Sequence, residues 1–228
     1  LDVLLGGGLE PGTATILTGP SGVGKTTLGV EFLRAAIAHG QRAVLYSFEE
    51  SPESIQIRAR GIGAPLDDLL AGSALKIVSL NPMQIYPDEF LAMVQAAVEQ
   101  EGRQLVMIDS LRGYQLEMNE ARNPLAHIHN LVNYLGSQNV SSFLINEVEA
   151  ITGNLIATEI GVSHLADNIL LVRYAEYQGH IIKVIACLKK RLGDFQTELR
   201  ELCLTPAGIV VGAKLENMHR VLTGVPEY

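Results

Sequence analysis

Residues 19–26 read GPSGVGKT, and Thr27 follows them. This stretch fits the pattern G-x-x-x-x-G-K-[ST], whose glycines let the backbone curl around phosphate groups with its N–H groups pointing inward. A short apolar run at residues 13–19 precedes it, and a helical pattern at residues 25–39 follows. The N-terminus of that helix adds a partial positive charge. The stretch therefore predicts a phosphate-binding loop between a strand and a helix.

The side chains of this loop have distinct expected roles. We expect Lys25 to reach the β- and γ-phosphates, as a binding and a catalytic residue, and Thr26 to place its hydroxyl on Mg²⁺. A chance glycine-rich turn would not combine four specified positions with a strand before and a helix after. The predicted phosphate-binding residues are Gly19, Ser21, Gly22, Val23, Gly24, Lys25, Thr26 and Thr27.

A magnesium-holding carboxylate is predicted at Asp109. Residues 105–108 read LVMI, four apolar residues of a buried strand, and Asp109 follows where that strand leaves the core. Alone, such an acid is also typical of an ordinary strand end that caps the next loop. Because it follows a phosphate loop in the same predicted sheet, we assign Asp109 with Thr26 to the metal, and Ser110 as an assisting residue.

Two adjacent acids, Glu49 and Glu50, end the predicted strand at residues 42–48. Acids paired at a strand end repel each other, which suits one of them to accepting a proton from water. The alternative is structural, since both precede Ser51, a predicted helix cap, and favour the N-terminus of that helix. We favour Glu50 as the catalytic base and Glu49 as its support.

The rest of the chain predicts one α/β domain over residues 1–228. Strand-helix alternation up to residue 146 indicates a mainly parallel sheet with helices on both faces. After residue 167 a hairpin with a turn at Gln178-Gly179 begins a C-terminal antiparallel extension. Strands are predicted at residues 13–19, 42–48, 75–80, 104–109, 140–146, 168–174, 180–190, 198–204 and 208–212. Helices are predicted at residues 25–39, from residue 52 onward, at 88–101 and at 124–138.

Composition excludes several classes of protein. Hydrophobic residues make up 47% of the 228, enough for a core. No apolar run approaches the roughly 20 residues of a membrane helix, and the start at Leu1 shows no signal peptide, so we expect a cytoplasmic protein without membrane contact. Cys187 and Cys203 are expected to be free thiols in strands. The net charge of −8 disfavours sequence-independent nucleic-acid binding.

Together these motifs resemble the RecA superfamily of P-loop NTPases, and within it the KaiC family of ATPases. The resemblance spans nearly the whole chain, and the pair of glutamates with the SHLADN stretch is what separates this family from other P-loop proteins. The segments that carry it are LGGGL at 5–9, SFEESP at 47–52, IDS at 108–110, GVSHLADN at 161–168 and LTGVP at 222–226. It implies ATP and Mg²⁺ as ligands, Glu49 and Glu50 as catalytic residues, and one domain that can be a repeat of a longer tandem protein.

The resemblance also implies a hexameric ring with ATP between subunits. A neighbouring subunit then supplies a Lys-x-Arg pair to the γ-phosphate, and Lys189 and Arg191 stand at the corresponding strand end. Cations arriving in trans stabilise the transferred phosphoryl group; without the resemblance, a solvated basic strand end would be the simpler interpretation. The four residues after this pair, LGDF at 192–195, differ from those of the family member that acts in the circadian clock. The resemblance therefore does not predict further contacts between this segment and the neighbour's nucleotide.

Family members act in signalling and circadian regulation with protein partners, and one repeat of the clock protein phosphorylates itself. Ser163 stands at the matching place and is a candidate phospho-acceptor, whereas His164 replaces the family's threonine. A serine in a polar loop is more often without such a role. A third possible function is a signalling scaffold that binds partners when nucleotide is bound and for which ATP hydrolysis has no role of its own. Such a scaffold would need the same nucleotide-binding site, so the sequence does not distinguish it from an ATPase.

The main alternative function is a DNA-dependent ATPase of the RecA, RadA or DnaB type. Such proteins hold DNA with the loops after the strands that end at Asp109 and Asn146. Stacking platforms are scarce, since Trp is absent and aromatic residues make up 5% of the chain. Acids also outnumber bases in this region, which would repel a phosphate backbone. Residues 111–162 contain Arg112 and Arg122, no lysine, and Glu117, Glu120, Glu147, Glu149 and Glu159.

Overall fold

Strands and helices alternate through the first part of the chain, with the phosphate loop joining the first strand to the first helix. The computed structural model describes residues 1–117, 124–148 and 164–216. Its strands are β1 Ala14–Gly19, β2 Ala43–Ser47, β3 Leu75–Ser79, β4 Leu105–Asp109, β5 Ser141–Glu147, β6 Asn168–Tyr177, β7 His180–Lys190, β8 Arg200–Thr205 and β9 Gly208–Lys214. Its helices are α1 Lys25–Ala38, α2 Pro52–Gly61, α3 Asp67–Ala71, α4 Pro87–Glu99, α5 Leu111–Glu117 and α6 Pro124–Ser137, with a 3-10 turn at Pro82–Gln84.

The nine described strands form one sheet in the order β3-β2-β4-β5-β1-β6-β7-β8-β9. Neighbours from β3 to β6 run parallel, and β7 to β9 continue the sheet antiparallel. Gly19 lies opposite Glu147, and Ser47 lies opposite Asp109. The last residues of β1, β5, β2 and β4 therefore meet at one end of the sheet, called the carboxyl end below. The end where β1 begins is called the amino end.

Side chains alternate between two cores along the buried strands. In β2, Val44 and Tyr46 face one core, and Ala43 and Leu45 face the other. Helices α4, α5 and α6 cover the first core, and α1 and α2 cover the second. Phe90 of α4 meets Tyr46 edge-on, with ring centroids 5.1 Å apart, an arrangement that aromatic pairs favour. The predicted α/β class, with a mostly parallel sheet and helices on both faces, is confirmed.

The start of α2 follows from its capping residues. The Ser51 hydroxyl accepts a hydrogen bond from the Ser54 backbone N–H at 3.3 Å. Pro52 occupies the first turn, where a missing N–H leaves no bond unmade. The predicted helix start is confirmed, and it places Glu50 immediately before the helix.

Three short helical elements and the length of one strand differ from the sequence predictions. Helices α3 and α5 and the 3-10 turn were not predicted, because segments of three to seven residues are too short to show helical periodicity. Strand β6 continues to Tyr177 and pairs antiparallel with β7, so the predicted hairpin is confirmed, and its other edge pairs in parallel with β1. A strand's own sequence does not determine which strand will lie beside it.

The N-terminal segment is fixed to the end of β7 by a buried lysine. The Lys190 side chain is 2% exposed, and its Nζ lies 2.9 Å from Glu10 Oε1 and donates to the Leu5 carbonyl at 2.8 Å. The Gln196 N–H donates to the Leu4 carbonyl at 3.0 Å. Residues 4–10 and 190–196 therefore pack as one unit at the amino end of the sheet.

The two cysteines lie on neighbouring strands of the antiparallel extension. Cys187 in β7 and Cys203 in β8 are both free thiols, which confirms their prediction. Burial raises the pKa of both thiols. In the described ranges, no helix has the length and apolarity to cross a membrane.

Candidate nucleotide-binding site

The phosphate loop makes a tight turn at the carboxyl end of β1. Gly22 and Gly24 have φ angles of +74° and +107°, in the left-handed region that favours glycine. A Cβ at Gly19 would lie 2.1 Å from the Val172 carbonyl oxygen, and one at Gly24 would lie 2.8 Å from Leu204 Cδ1. Glycine is therefore required both by the backbone conformation and by the strands that pack against the loop.

Lys25 begins α1 and is buried, with 6% exposure. Its Nζ donates to the Pro20 carbonyl at 2.7 Å and lies 3.4 Å from Glu147 Oε2. Burial lowers the pKa of Lys25, while the nearby carboxylates of Glu147, Asp109 and Glu49 oppose that shift. The ammonium group is thus held inside the loop by one carbonyl and one carboxylate, in the position that a phosphate would share.

Thr26 and Asp109 meet beside Lys25. The Thr26 hydroxyl donates to Asp109 Oδ2 at 2.6 Å. Asp109 is 5% exposed, and its pKa is raised to about 6, mainly by burial and also by Glu49 and Glu50, while the Thr26 hydrogen bond and Arg58 oppose the shift. A cation placed here would relieve the crowding of carboxylates, so the donor set fits Mg²⁺.

The number of ligands also suits magnesium. In the described part of the chain, no cluster of three or more His, Cys, Asp or Glu residues could enclose a metal by itself. Mg²⁺ usually takes one or two protein ligands and completes its shell with phosphate oxygens and water. Thr26 and Asp109 would therefore hold the ion together with a bound polyphosphate.

Glu49 and Glu50 follow β2 and are bound by different partners. Glu49 Oε1 accepts a hydrogen bond from the Ser110 hydroxyl. Glu50 Oε1 pairs with Arg58 Nη1 of α2 at 2.8 Å, and its backbone N–H donates to the buried Ser47 hydroxyl at 3.0 Å. Each carboxylate therefore has its own partner, and the two lie on the same side of the site as Asp109.

These residues line one cavity of about 450 Å³ at the carboxyl end of the sheet. Gly19 and Val23 do not line it; the Val23 side chain is fully buried in the core, so any contact it makes with a phosphate is through its backbone. The predicted site residues that line the cavity are Ser21, Gly22, Gly24, Lys25, Thr26, Thr27, Glu49, Glu50 and Asp109.

Three charged residues of the cavity were missed or misplaced by sequence analysis. Glu147, counted there among acids repelling DNA, ends β5 and contacts Lys25; its position after a strand was a signal for the same end of the sheet as Asp109. Arg58 of α2 had no sequence signal. Lys183 of β7 also lines the cavity, with its Nζ 6.0 Å from the Tyr174 ring centroid and its pKa lowered by burial.

Lys189 and Arg191 lie at the amino end of the sheet, away from this cavity. Lys190, between them, pairs with Asn168, which pairs with Thr15 near the start of β1. Lys189 Nζ donates to the Ala166 carbonyl at 2.6 Å. Arg191 Nη1 lies 2.9 Å from an Asp167 carboxylate oxygen, and the arginine side chain is 57% exposed.

The candidate phospho-acceptor Ser163 lies outside the described residues. Its neighbour His164 is described and is exposed to solvent. Glu120, Arg122, Glu149 and Glu159, which sequence analysis counted against DNA binding, also lie outside the described ranges.

Comparison with known proteins identifies relatives of this chain. A family model described as "ATPase: KaiC" matches residues 1–216. The circadian clock protein KaiC3 of Synechocystis sp. is 25% identical over 228 residues, which is 100% of this chain and 45% of that protein. The circadian clock oscillator proteins KaiC of Prochlorococcus marinus strain MIT 9313 and of Thermostichus vulcanus are each 26% identical over 99% of this chain, and the matches cover 45% and 43% of those proteins. The chain thus spans less than half the length of these relatives.

The family match includes every element that builds the cavity. It runs from the N-terminal segment through β1 and the phosphate loop to the last described residue of the antiparallel extension. The matched family is one of ATPase domains, and the sheet order and phosphate loop of this chain are those of a RecA-like P-loop domain. The chain belongs to the KaiC family of ATPase domains.

Proposed function

We propose that this domain binds Mg·ATP in the cavity at the carboxyl end and hydrolyses it within a ring-shaped homo-oligomer, a hexamer as its family implies. The observation that carries this proposal is the meeting of the phosphate loop, the Thr26–Asp109 pair and two glutamates in one cavity. We further propose a role in signalling or clock-type regulation, in which the chain forms one repeat of its parent protein.

The phosphate loop and the metal site contribute to nucleotide binding in different ways. The backbone N–H groups of the loop and the Lys25 ammonium bind the phosphates, since both lie in the same turn before α1. Thr26 and Asp109 hold Mg²⁺, which neutralises charge on the phosphates. The apolar Ile62 and Leu204 line the same cavity and offer contact to the less polar part of the nucleotide.

Glu50 is the proposed general base. It accepts a proton from a water molecule as the water oxygen bonds to the γ-phosphorus and the bond from that phosphorus to the bridging oxygen breaks. ADP leaves with the electron pair of that bond, and inorganic phosphate is the second product. Glu49, held by the Ser110 hydroxyl next to Asp109, supports the base and the metal site.

The position of Lys189 and Arg191 supports assembly into a ring. Both lie at the end of β7, which pairs with the start of β6, and the start of β6 in turn pairs with the start of β1. The phosphate loop follows the other end of β1. The four residues of β1 between those points span about 13 Å at roughly 3.3 Å per residue. These cations therefore cannot serve the cavity of their own subunit, and we assign them to the γ-phosphate of a neighbour.

The Glu50→Gln variant tests this function. It keeps the shape of the side chain but cannot take the proton, so we expect phosphate release to fall by roughly a hundredfold to ten-thousandfold. Affinity for a fluorescent ATP analogue should stay within about threefold, since glutamine still accepts a hydrogen bond from Arg58. Unchanged phosphate release by this variant would remove Glu50 as the base. We expect single-stranded DNA to leave the rate of phosphate release by the wild type unchanged. A DNA-dependent ATPase, the alternative function, would release phosphate faster when DNA is added.

A further inference from the structure

Arg58 is a charged residue of the cavity that the family motifs do not include. It lies on α2, two turns after Glu50, and its Nη1 lies 2.8 Å from Glu50 Oε1. Its side chain is 36% exposed and lines the same cavity as Lys25 and Thr26. The guanidinium therefore reaches from the surface of α2 to the side of the site where Glu50 stands.

The second terminal nitrogen of this guanidinium has no acceptor. Arg58 Nη2 is buried and makes no hydrogen bond with any described residue. A buried charged donor left without an acceptor is unfavourable, and structures normally supply one. Among the described residues Glu50 takes only Nη1, so the guanidinium keeps donors for a ligand of the cavity that Arg58 lines.

The surroundings of Arg58 indicate which part of the nucleotide this is. Arg58 lines the same cavity as Thr26 and Asp109, the two proposed metal ligands. Glu49 and Glu50 line the same side of the cavity. The group that lies between metal and base in a bound triphosphate is its terminal phosphate.

We propose that Arg58 binds the terminal phosphate of the nucleotide in its own subunit with the guanidinium donors that Glu50 leaves, while Nη1 holds Glu50. The inference rests on the proposed function, because it takes the ligand to be a triphosphate. A planar guanidinium can make both contacts at once, since its N–H donors are arranged as a fork and its charge suits phosphate and carboxylate alike. Arg58 would then favour triphosphate over diphosphate and orient the base toward the atom it serves.

The test is a comparison of two affinities. Binding of Mg·ADP and of the Mg complex of a non-hydrolysable ATP analogue with an imido-linked γ-phosphate is measured by calorimetry on the wild type and on Arg58→Gln. We expect the variant to lose about tenfold or more in affinity for the triphosphate analogue, as for a lost hydrogen bond between charged groups. Its affinity for ADP should change less than about twofold, because ADP lacks the phosphate concerned.

Matched variants separate this role from loss of fold or charge. Arg60→Gln removes the same residue type from the same helix, where Arg60 pairs with Asp67 in an exposed position outside the cavity. It should leave both affinities unchanged. Arg58→Lys keeps the charge without the fork and should lose part of the triphosphate affinity; it also provides a second measurement if the glutamine variant is unstable.

Equal affinities in Arg58→Gln and Arg60→Gln, or an equal loss for ADP and the analogue, would overturn the inference. Failure of hydrolysis gives a different result. If the triphosphate analogue binds with the expected dependence on Arg58 but the wild type releases no phosphate, the inference about Arg58 stands and the proposed ATPase activity is wrong. A wild type that binds neither nucleotide would remove both.

Discussion

The two ends of the sheet both carry basic residues, but they present them in opposite ways. At the carboxyl end, Lys25 and Asp109 are 6% and 5% exposed and have partners inside one cavity. At the amino end, Arg191 is 57% exposed and its partner within the chain is the partly exposed Asp167. The first end, called the closed site below, is a cavity in which Lys25 and Asp109 are buried and paired within the chain. The second is a surface with an exposed arginine, which we propose acts on the nucleotide of a neighbouring subunit.

The largest expected effect comes from replacing Lys25, which supplies the positive charge in the closed site. Lys25→Ala removes the ammonium that lies among Glu147, Asp109 and Glu49, and leaves those acids facing the phosphates. We expect nucleotide affinity to fall by about a thousandfold, in the range seen when a buried charged partner is removed. Calorimetric titration with Mg·ATP measures this affinity. Lys76→Ala is the control, because Lys76 is an exposed lysine of the edge strand β3 that pairs with Glu101. Normal affinity in Lys25→Ala would contradict the phosphate loop.

A smaller effect should follow from changing the exposed end. Arg191→Ala leaves the cavity of its own subunit intact, so we expect ATP binding to be kept and turnover to fall about a hundredfold, as for the loss of one group that stabilises transition-state charge. Phosphate release and nucleotide titration measure the two quantities. Arg34→Ala, which removes an arginine paired with Glu31 on α1, is the control.

Mixing two inactive variants makes the comparison of the two ends sharper. Arg191→Ala retains an intact cavity, and Lys25→Ala retains an intact Arg191. In mixed rings, the second variant can supply its arginine to the cavity of the first, so turnover by the mixture should exceed the sum of the separate rates. Strictly additive rates, or a monomer in light scattering at saturating nucleotide, would remove Arg191 from the neighbour's site.

The smallest expected effect concerns Glu147, the acid that occupies the closed site together with Lys25. Glu147→Gln removes a negative charge 3.4 Å from the Lys25 ammonium, so a phosphate no longer competes with a carboxylate there. We expect nucleotide affinity to rise by about threefold, the scale of a partly exposed ion pair. The same titration measures it, and a weaker affinity would mean that Glu147 assists binding and does not compete with it.

The sequence predicted the closed site better than its surroundings. The phosphate loop, Asp109 and the two glutamates follow strands and have motif spacing, so their meeting follows from the rule that parallel strands bring their carboxyl ends together. Arg58 has no such signal, because its contact depends on which side of α2 faces Glu50. Lys183 lies on β7, and only the strand order places that strand near the loop.

The same limit applies to the pairing of β6 with β1, which the sequence did not predict. The pattern of β6 predicts a strand and a following turn, and both are present. Its parallel pairing with β1 depends on long-range contacts between residues 153 positions apart, such as Thr15 and Asn168. Local propensity carries no information about such a partner.

The lysine that fixes the N-terminal segment to β7 has a practical consequence for the preparation of shortened versions of this domain. A fragment cut just before β1 would retain Lys190 but lose Glu10 and the Leu5 carbonyl, its two acceptors. An ammonium stranded in the interior without its counter-charge costs about 3–5 kcal/mol, a large share of the stability of a domain this size. Shortened versions should therefore begin upstream of Leu4, even though the catalytic machinery starts at residue 19.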